Sequence, residues 1–171
     1  RQICQREGIL LIFDEVQCGI GRTGSFFAYQ GYGVTPDIVT LAKQLGGGFP
    51  IGAMLASNEA ASGFAPGDHA STFGGNPLAA ATASRLVSIV SQPAFLKEVQ
   101  KSGQALYDKL AALNDSRIVE VRGQGLLIGV ELTVEVKDLI NLCIQKGLLL
   151  VGAGPNVVRF VPPLNVKQIE L

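Results

Sequence analysis

Residues 1–7 are mostly polar and read as the tail of a helix. Residues 8–13 (GILLIF) then form a short, continuous apolar run. Such a run suits a strand buried on both faces of a sheet. It stops abruptly at Asp14-Glu15. Two further short apolar runs, 37–42 and 51–57, are punctuated by Gly and Pro and read as strands. Asn76-Pro77 predicts a helix start, with Asn as cap and Pro at the first helical position. That helix is expected to reach about residue 91. Pro93 opens another, with Phe95, Val99, Leu106, Leu110 and Leu113 at helical spacing. The character changes near Asn114. Residues 118–121 and 126–132 predict strands joined around Gly123-Gln124-Gly125. Val136, Leu139, Ile140 and Cys143 form an i, i+3, i+4, i+7 stripe that Gly147 would end. Residues 148–151 and 157–161 predict two more strands, and 166–171 the first turn of a helix. The pattern predicts an α/β part over 1–92, a connecting helix within 93–116 and a small α+β part over 117–171.

Composition narrows the function. The chain has 171 residues, 47% hydrophobic and 16% charged, with 14 Lys+Arg against 14 Asp+Glu. This is enough apolar material for a packed core, so the chain is not disordered. The zero net charge gives no reason to expect nucleic acid or a membrane surface as partner. No apolar run approaches the roughly 20 residues of a spanning helix, and the polar opening does not resemble a secretory signal. The single Met is Met54, so a piece of a longer protein is expected. Cys4, Cys18 and Cys143 are an odd set at no metal-like spacing. They read as free thiols in a reducing, cytoplasmic compartment. With His69 the sole histidine, no zinc site is expected.

The candidate chemistry lies where two strands end. Asp14 falls at the carboxyl end of the first strand. Lys43 falls just after the second, followed by Gly46-Gly47-Gly48. Ligands of open α/β sheets bind outside the carboxyl ends of strands. A lysine between apolar flanks can lose charge by desolvation and act as a nucleophilic amine. From spacing alone, Lys43 reads equally well as a surface lysine beside a flexible loop, and Asp14-Glu15 as a turn cap. Arg159 reads equally as a strand residue paired with Glu131. Gly19–Gly24 matches the dinucleotide fingerprint G-x-G-x-x-G. That fingerprint requires a strand immediately before it and a helix opening within it. Here DEVQC intervenes and SFFAYQGYG is too short and Gly-broken for the helix, so a tight loop is expected instead.

LLIFDEVQCGIGRTG, PDIVTLAKQLGGGFPIGAMLAS, HASTFGGNPLAAATA and VVRFVPPLNV, in that order and spacing, resemble the class III aminotransferases of pyridoxal-phosphate fold type I. Within that class the chain is most similar to the acetylornithine and succinylornithine group. The resemblance implies the later half of a large cofactor domain followed by a truncated small C-terminal domain. It implies pyridoxal 5'-phosphate as cofactor, with Lys43 forming its Schiff base and Asp14 facing the pyridine nitrogen. Val16 is implied on the ring face and Gln17 near the ring hydroxyl. Thr72 is implied on the phosphate across a homodimer interface, Ser71 beside the substrate, and Arg159 on the substrate carboxylate. The implied reaction moves an amino group from N-acetylornithine, or a similar N-acylated or ω-amino donor, to 2-oxoglutarate. Ornithine and 4-aminobutyrate aminotransferases are the alternatives. The resemblance also implies that some family cofactor contacts fall outside these residues, so the isolated chain is expected to be inactive.

Overall fold

The computed structural model describes residues 1–171. In it the first apolar run enters the sheet only at its end. Helix α1 is Gln2–Glu7, closed by Gly8 at φ 65°. Strand β1 is Ile12–Asp14. It pairs in parallel with β2, Ile38–Leu41, which pairs antiparallel with β3, Ala53–Ala56, in the order β1-β2-β3. The central strand is the buried one: Ile38, Val39 and Leu41 are in the core. The first strand is not buried on both faces. Ile12 is exposed, because its side chain points to a face of the sheet that no element of residues 1–171 covers. After a short helix α2, Asn58–Ala61, comes α3, Pro77–Val90. Its cap is the one predicted: the Asn76 Oδ1 accepts from the Ala79 N–H at 2.9 Å. Ala79, Ala83 and Val90 are the buried positions of α3.

Helix α4 is Pro93–Ala111 and buries Val99, Ser102, Gly103, Leu106 and Leu110. Phe95 is only half-buried and Leu113 lies past the helix end, exposed. The chain divides into two compact units, Arg1–Leu96 and Lys97–Leu171. The second holds an antiparallel sheet ordered β4-β5-β7-β6, with β4 Ile118–Gln124, β5 Leu127–Leu132, β6 Val151–Gly152 and β7 Val157–Phe160. Ile128, Val130 and Leu132 are buried in alternation along β5, as a one-sided sheet requires. Gly103 is where α4 meets the β4–β5 turn: a Cβ there would lie 2.2 Å from the Gly125 carbonyl oxygen.

Helix α5 is Lys137–Gln145. Of its predicted stripe only Val136 is fully buried. Leu139 and Cys143 instead line a cavity of about 500 Å³, opposite Val130, Leu132 and Val158 of the sheet. Strand β6 begins later than predicted, since Leu148 and Leu149 stay exposed. No helix is long and apolar enough to cross a membrane.

Candidate active site

At the end of β1 the chain splits two adjacent acids between opposite faces. Asp14 is exposed. Its Oδ1 accepts from the Val16 N–H at 3.0 Å and from the Thr40 hydroxyl at 3.2 Å. Thr40 is its register partner on β2, so the carboxylate is held both by its own turn and by the neighbouring strand. Glu15 is only 3% exposed. Its two carboxylate oxygens accept from the backbone N–H groups of Ala28 and Tyr29, both at 2.7 Å. The Cys18 thiol lies beside this pair, 3.8 Å from the Asp14 carbonyl. Burial raises its pKa above the ordinary value, and the charges of Glu15 and Asp14 add to the effect.

The glycine-rich loop that follows is closed on itself. Gly19 donates to the Glu15 carbonyl, Gly21 to Phe26 and Gly24 to Gly21. Ile20, Arg22 and Thr23 within it are buried, and burial lowers the pKa of the Arg22 guanidinium. A 3₁₀ turn at Ala28–Tyr32 comes next, not the long helix that a dinucleotide fingerprint opens.

Lys43 follows β2 by two residues and starts the 3₁₀ turn Lys43–Leu45. It is exposed, with φ 43°. Only Ile20 (φ 53°) shares a positive φ among the non-glycine residues. Lys43 comes two residues after β2, and Ile20 lies in the glycine-rich loop six residues after β1. Side-chain-bearing residues avoid this region, and strain of this kind concentrates at functional sites. Buried Leu45 anchors the turn. The glycines beyond it are required by close approach. A Cβ on Gly46 would lie 1.9 Å from the Phe49 carbonyl oxygen, and one on Gly47 (φ 56°) would lie 2.4 Å from Leu86 of α3.

Ser71 and Thr72 sit on an exposed turn leading into α3. The Ser71 Oγ accepts from the Gly74 N–H at 2.9 Å, and the Asn76 Nδ2 donates to the Phe73 carbonyl at 2.9 Å. The turn is thus folded by its own side chains, with Thr72 at its tip. Val16 is half-buried and Gln17 exposed. The structure therefore gathers Asp14, Val16, Gln17 and Lys43 at the carboxyl ends of two adjacent parallel strands. Arg159 belongs to the second unit, on β7, in register with Gly129 of β5 and Val151 of β6. Glu131, weighed above as its partner, is engaged by Arg122 and Asn156. His69 is an exposed loop residue. Sequence reading gave Thr40 and Glu15 no role beyond a turn cap. The signal for Thr40 was a hydroxyl three residues before the lysine.

A parallel strand pair thus presents an acid and a lysine with positive φ at its carboxyl ends, where ligands of open α/β sheets bind. The whole chain, residues 1–171, matches the model of the family "Aminotransferase class-III", and the chain belongs to that family. Its fold is part of fold type I. It is 55% identical over 174 residues to the acetylornithine aminotransferase of Clostridium acetobutylicum, covering 100% of this chain and 45% of that protein. The solved N-acetylornithine aminotransferase of Stenotrophomonas maltophilia K279a superposes with a TM-score of 0.89 at 41% identity, over 99% of this chain and 46% of that one. The ornithine aminotransferase of Toxoplasma gondii, a structure with partial occupancy of PLP at its active site, superposes with a TM-score of 0.91 at 34% identity, over 99% of this chain and 41% of that one. The chain thus spans less than half the length of the relatives it matches.

Proposed function

We propose that this chain belongs to a pyridoxal 5'-phosphate-dependent aminotransferase that moves an amino group from N-acetylornithine, or a similar N-acylated or ω-amino donor, to 2-oxoglutarate. The observation that carries this reading is the placement of Asp14 and Lys43 at neighbouring carboxyl ends of a parallel strand pair.

The residues present fit the cofactor. Asp14 offers an exposed carboxylate steadied through one oxygen, the acceptor that a protonated pyridine nitrogen needs. The turn at 71–76 offers two hydroxyls and backbone N–H groups, the donors that a phosphate needs. The three glycines after Lys43 keep the backbone there free of side chains. When bound, pyridoxal phosphate supplies an electron sink at the substrate carbon that loses its proton.

In this reading Asp14 keeps a proton on the ring nitrogen by its charge. Val16 would pack on the ring and Gln17 would hydrogen-bond to it. Thr72 grips the phosphate of a neighbouring subunit, so the working unit is a homodimer. Ser71 lies beside the substrate. The Arg159 guanidinium takes a substrate carboxylate in two parallel hydrogen bonds and fixes its orientation. The Nζ of Lys43 takes the proton from the amine-bearing carbon of the donor, a step worth ~10²–10⁴-fold. The balanced charge and free thiols fit a cytoplasmic enzyme of small amino acids.

The test compares turnover of N-acetylornithine, ornithine and 4-aminobutyrate with 2-oxoglutarate, using protein expressed from the complete reading frame. N-acetylornithine is expected to give the highest kcat/KM. A clear preference for either of the others would assign the enzyme to that substrate instead.

A further inference from the structure

We infer that Glu15 is a positioning residue for Asp14, acting through the backbone of Ala28 and Tyr29; this rests on the function proposed above. Successive residues of a strand point to opposite faces. Phe13 and Glu15 therefore share one face of the β1 end, and Asp14 takes the other. On the shared face, both are held by the same short segment. The Glu15 carboxylate accepts from the Ala28 and Tyr29 N–H groups, and the Tyr29 ring packs against the Phe13 ring at 6.3 Å between centroids. Phe27 stacks on Tyr29 from beyond, at 5.2 Å and 11° between planes. The residues on both sides of Asp14 are thus fastened to one support.

The opposite side is fastened as well. Thr40 donates its hydroxyl to the Asp14 Oδ1, and its carbonyl accepts from the Glu15 N–H at 3.0 Å. Thr40 therefore grips both acids, one through its side chain and one through its main chain. Asp14 protrudes from a strand end that cannot slide along β2 or lift from the 28–29 segment without breaking these bonds. The Glu15 carbonyl also receives the Gly19 N–H at 2.9 Å, which closes the turn carrying Val16 and Gln17. A Cβ on Gly19 would lie 2.8 Å from that carbonyl oxygen and 3.0 Å from the Glu15 carboxylate, so the turn wraps tightly over the buried acid.

Burial of a carboxylate needs a reason, because packing alone is served as well by an apolar side chain. A carboxylate has two acceptor oxygens and no donor, which is what two adjacent N–H groups require. Glutamine keeps the shape but presents an NH₂ group to one of those donors. The arrangement is therefore specific to an acid of this length, and its output is the location of the neighbouring carboxylate.

The experiment is a double-mutant cycle on protein from the complete reading frame, comparing wild type, Glu15→Gln, Asp14→Ala and the double variant. Pyridoxal phosphate is titrated into each apoprotein, with binding followed by visible absorbance and the apoprotein unfolding temperature measured alongside. Glu15→Gln is expected to weaken binding by about tenfold, the effect of weakening a hydrogen bond to a charged group when the Asp14 carboxylate is displaced. The double variant is expected to bind as Asp14→Ala does, within about twofold, because Glu15 works through Asp14. Multiplying losses would overturn the inference, and so would a lowered unfolding temperature with unchanged affinity. If Glu15→Gln does not fold, Glu15→Asp replaces it in the cycle: its shorter arm reaches one N–H at most, and unchanged binding by that variant would also overturn the inference. Failure of the wild-type protein to bind would overturn the proposed function together with this inference, whereas normal wild-type binding with an indifferent Glu15→Gln would overturn this inference alone.

Discussion

The two units are held together in different ways. In Arg1–Leu96 the strands have three or four residues, and only β2 is buried along most of its length. The loops are set by polar side chains that bind backbone: Asp14, Glu15, Ser71 and Asn76 each receive an N–H. In Lys97–Leu171 the apolar alternation of β5 and the buried stripe of α4 do that work. Leu126 and Val99 are wholly buried there. One unit is organised around groups left available at strand ends. The other is organised around groups removed from water. Arg159 apart, residue changes should therefore separate chemistry from stability by unit.

The largest effect is expected at Lys43. Lys43→Ala should lower kcat by about 10³-fold, the size of a lost general base, with little change in unfolding temperature. A variant that kept its turnover would break the contrast. Next is Leu126→Ala in the second unit, expected to cost about 2–5 kcal/mol by denaturant unfolding, with the Michaelis constant unmoved in whatever protein remains folded. Gly103→Ala should follow at about 1–3 kcal/mol, because α4 and the β4–β5 turn must move apart to admit a methyl group. Asn76→Ala returns to the first unit and removes the α3 cap, for about 1 kcal/mol. The smallest effect concerns Asp115. Hydrogen bonds from the Arg117 side chain and then from its backbone N–H hold the Asp115 carboxyl down at about 2. A depressed pKa stabilises the fold above the ordinary carboxylate range, and that contribution is lost as pH falls through about 2. Asp115 is solvent-exposed, so the Tm difference between wild type and Asp115→Asn should be small at pH 6 and vanish only below about pH 2.

The contrast also governs what could be read from the chain. The second unit's α4 stripe is a repeating pattern, and Val99, Leu106 and Leu110 stand at the spacing that buries one helix face; the strand over 126–132 was legible as an apolar run, and its buried face carries Ile128 and Val130. The α3 start was legible because Asn76-Pro77 acts locally. The limits of β1 were not, because a strand ends where its partner's hydrogen bonds end. Ile12 meets Ile38 and the Leu11 carbonyl accepts from the Asp37 and Ile38 N–H groups, whereas residues 8–10 have the apolar character but no partner strand. Leu139 and Cys143 kept helical spacing yet missed burial, since the spacing does not reveal a cavity opposite. For the site, Asp14 and Lys43 stood out as polar residues at strand ends. Glu15 did not, because its partners are main-chain groups thirteen and fourteen residues away. Backbone donors carry no residue identity, so no pattern of letters announces them.

The backbone at Lys43 carries a further message about selection. A φ of 43° is a conformation that glycine adopts freely and that costs other residues about 1 kcal/mol or more. Judged by folding alone, glycine would be the favoured occupant, and Lys43→Gly should be more stable than Lys43→Ala by about that amount. A long, charged side chain held where the main chain prefers none reflects a demand other than folding. At this position the fittest sequence and the most stable sequence are not the same.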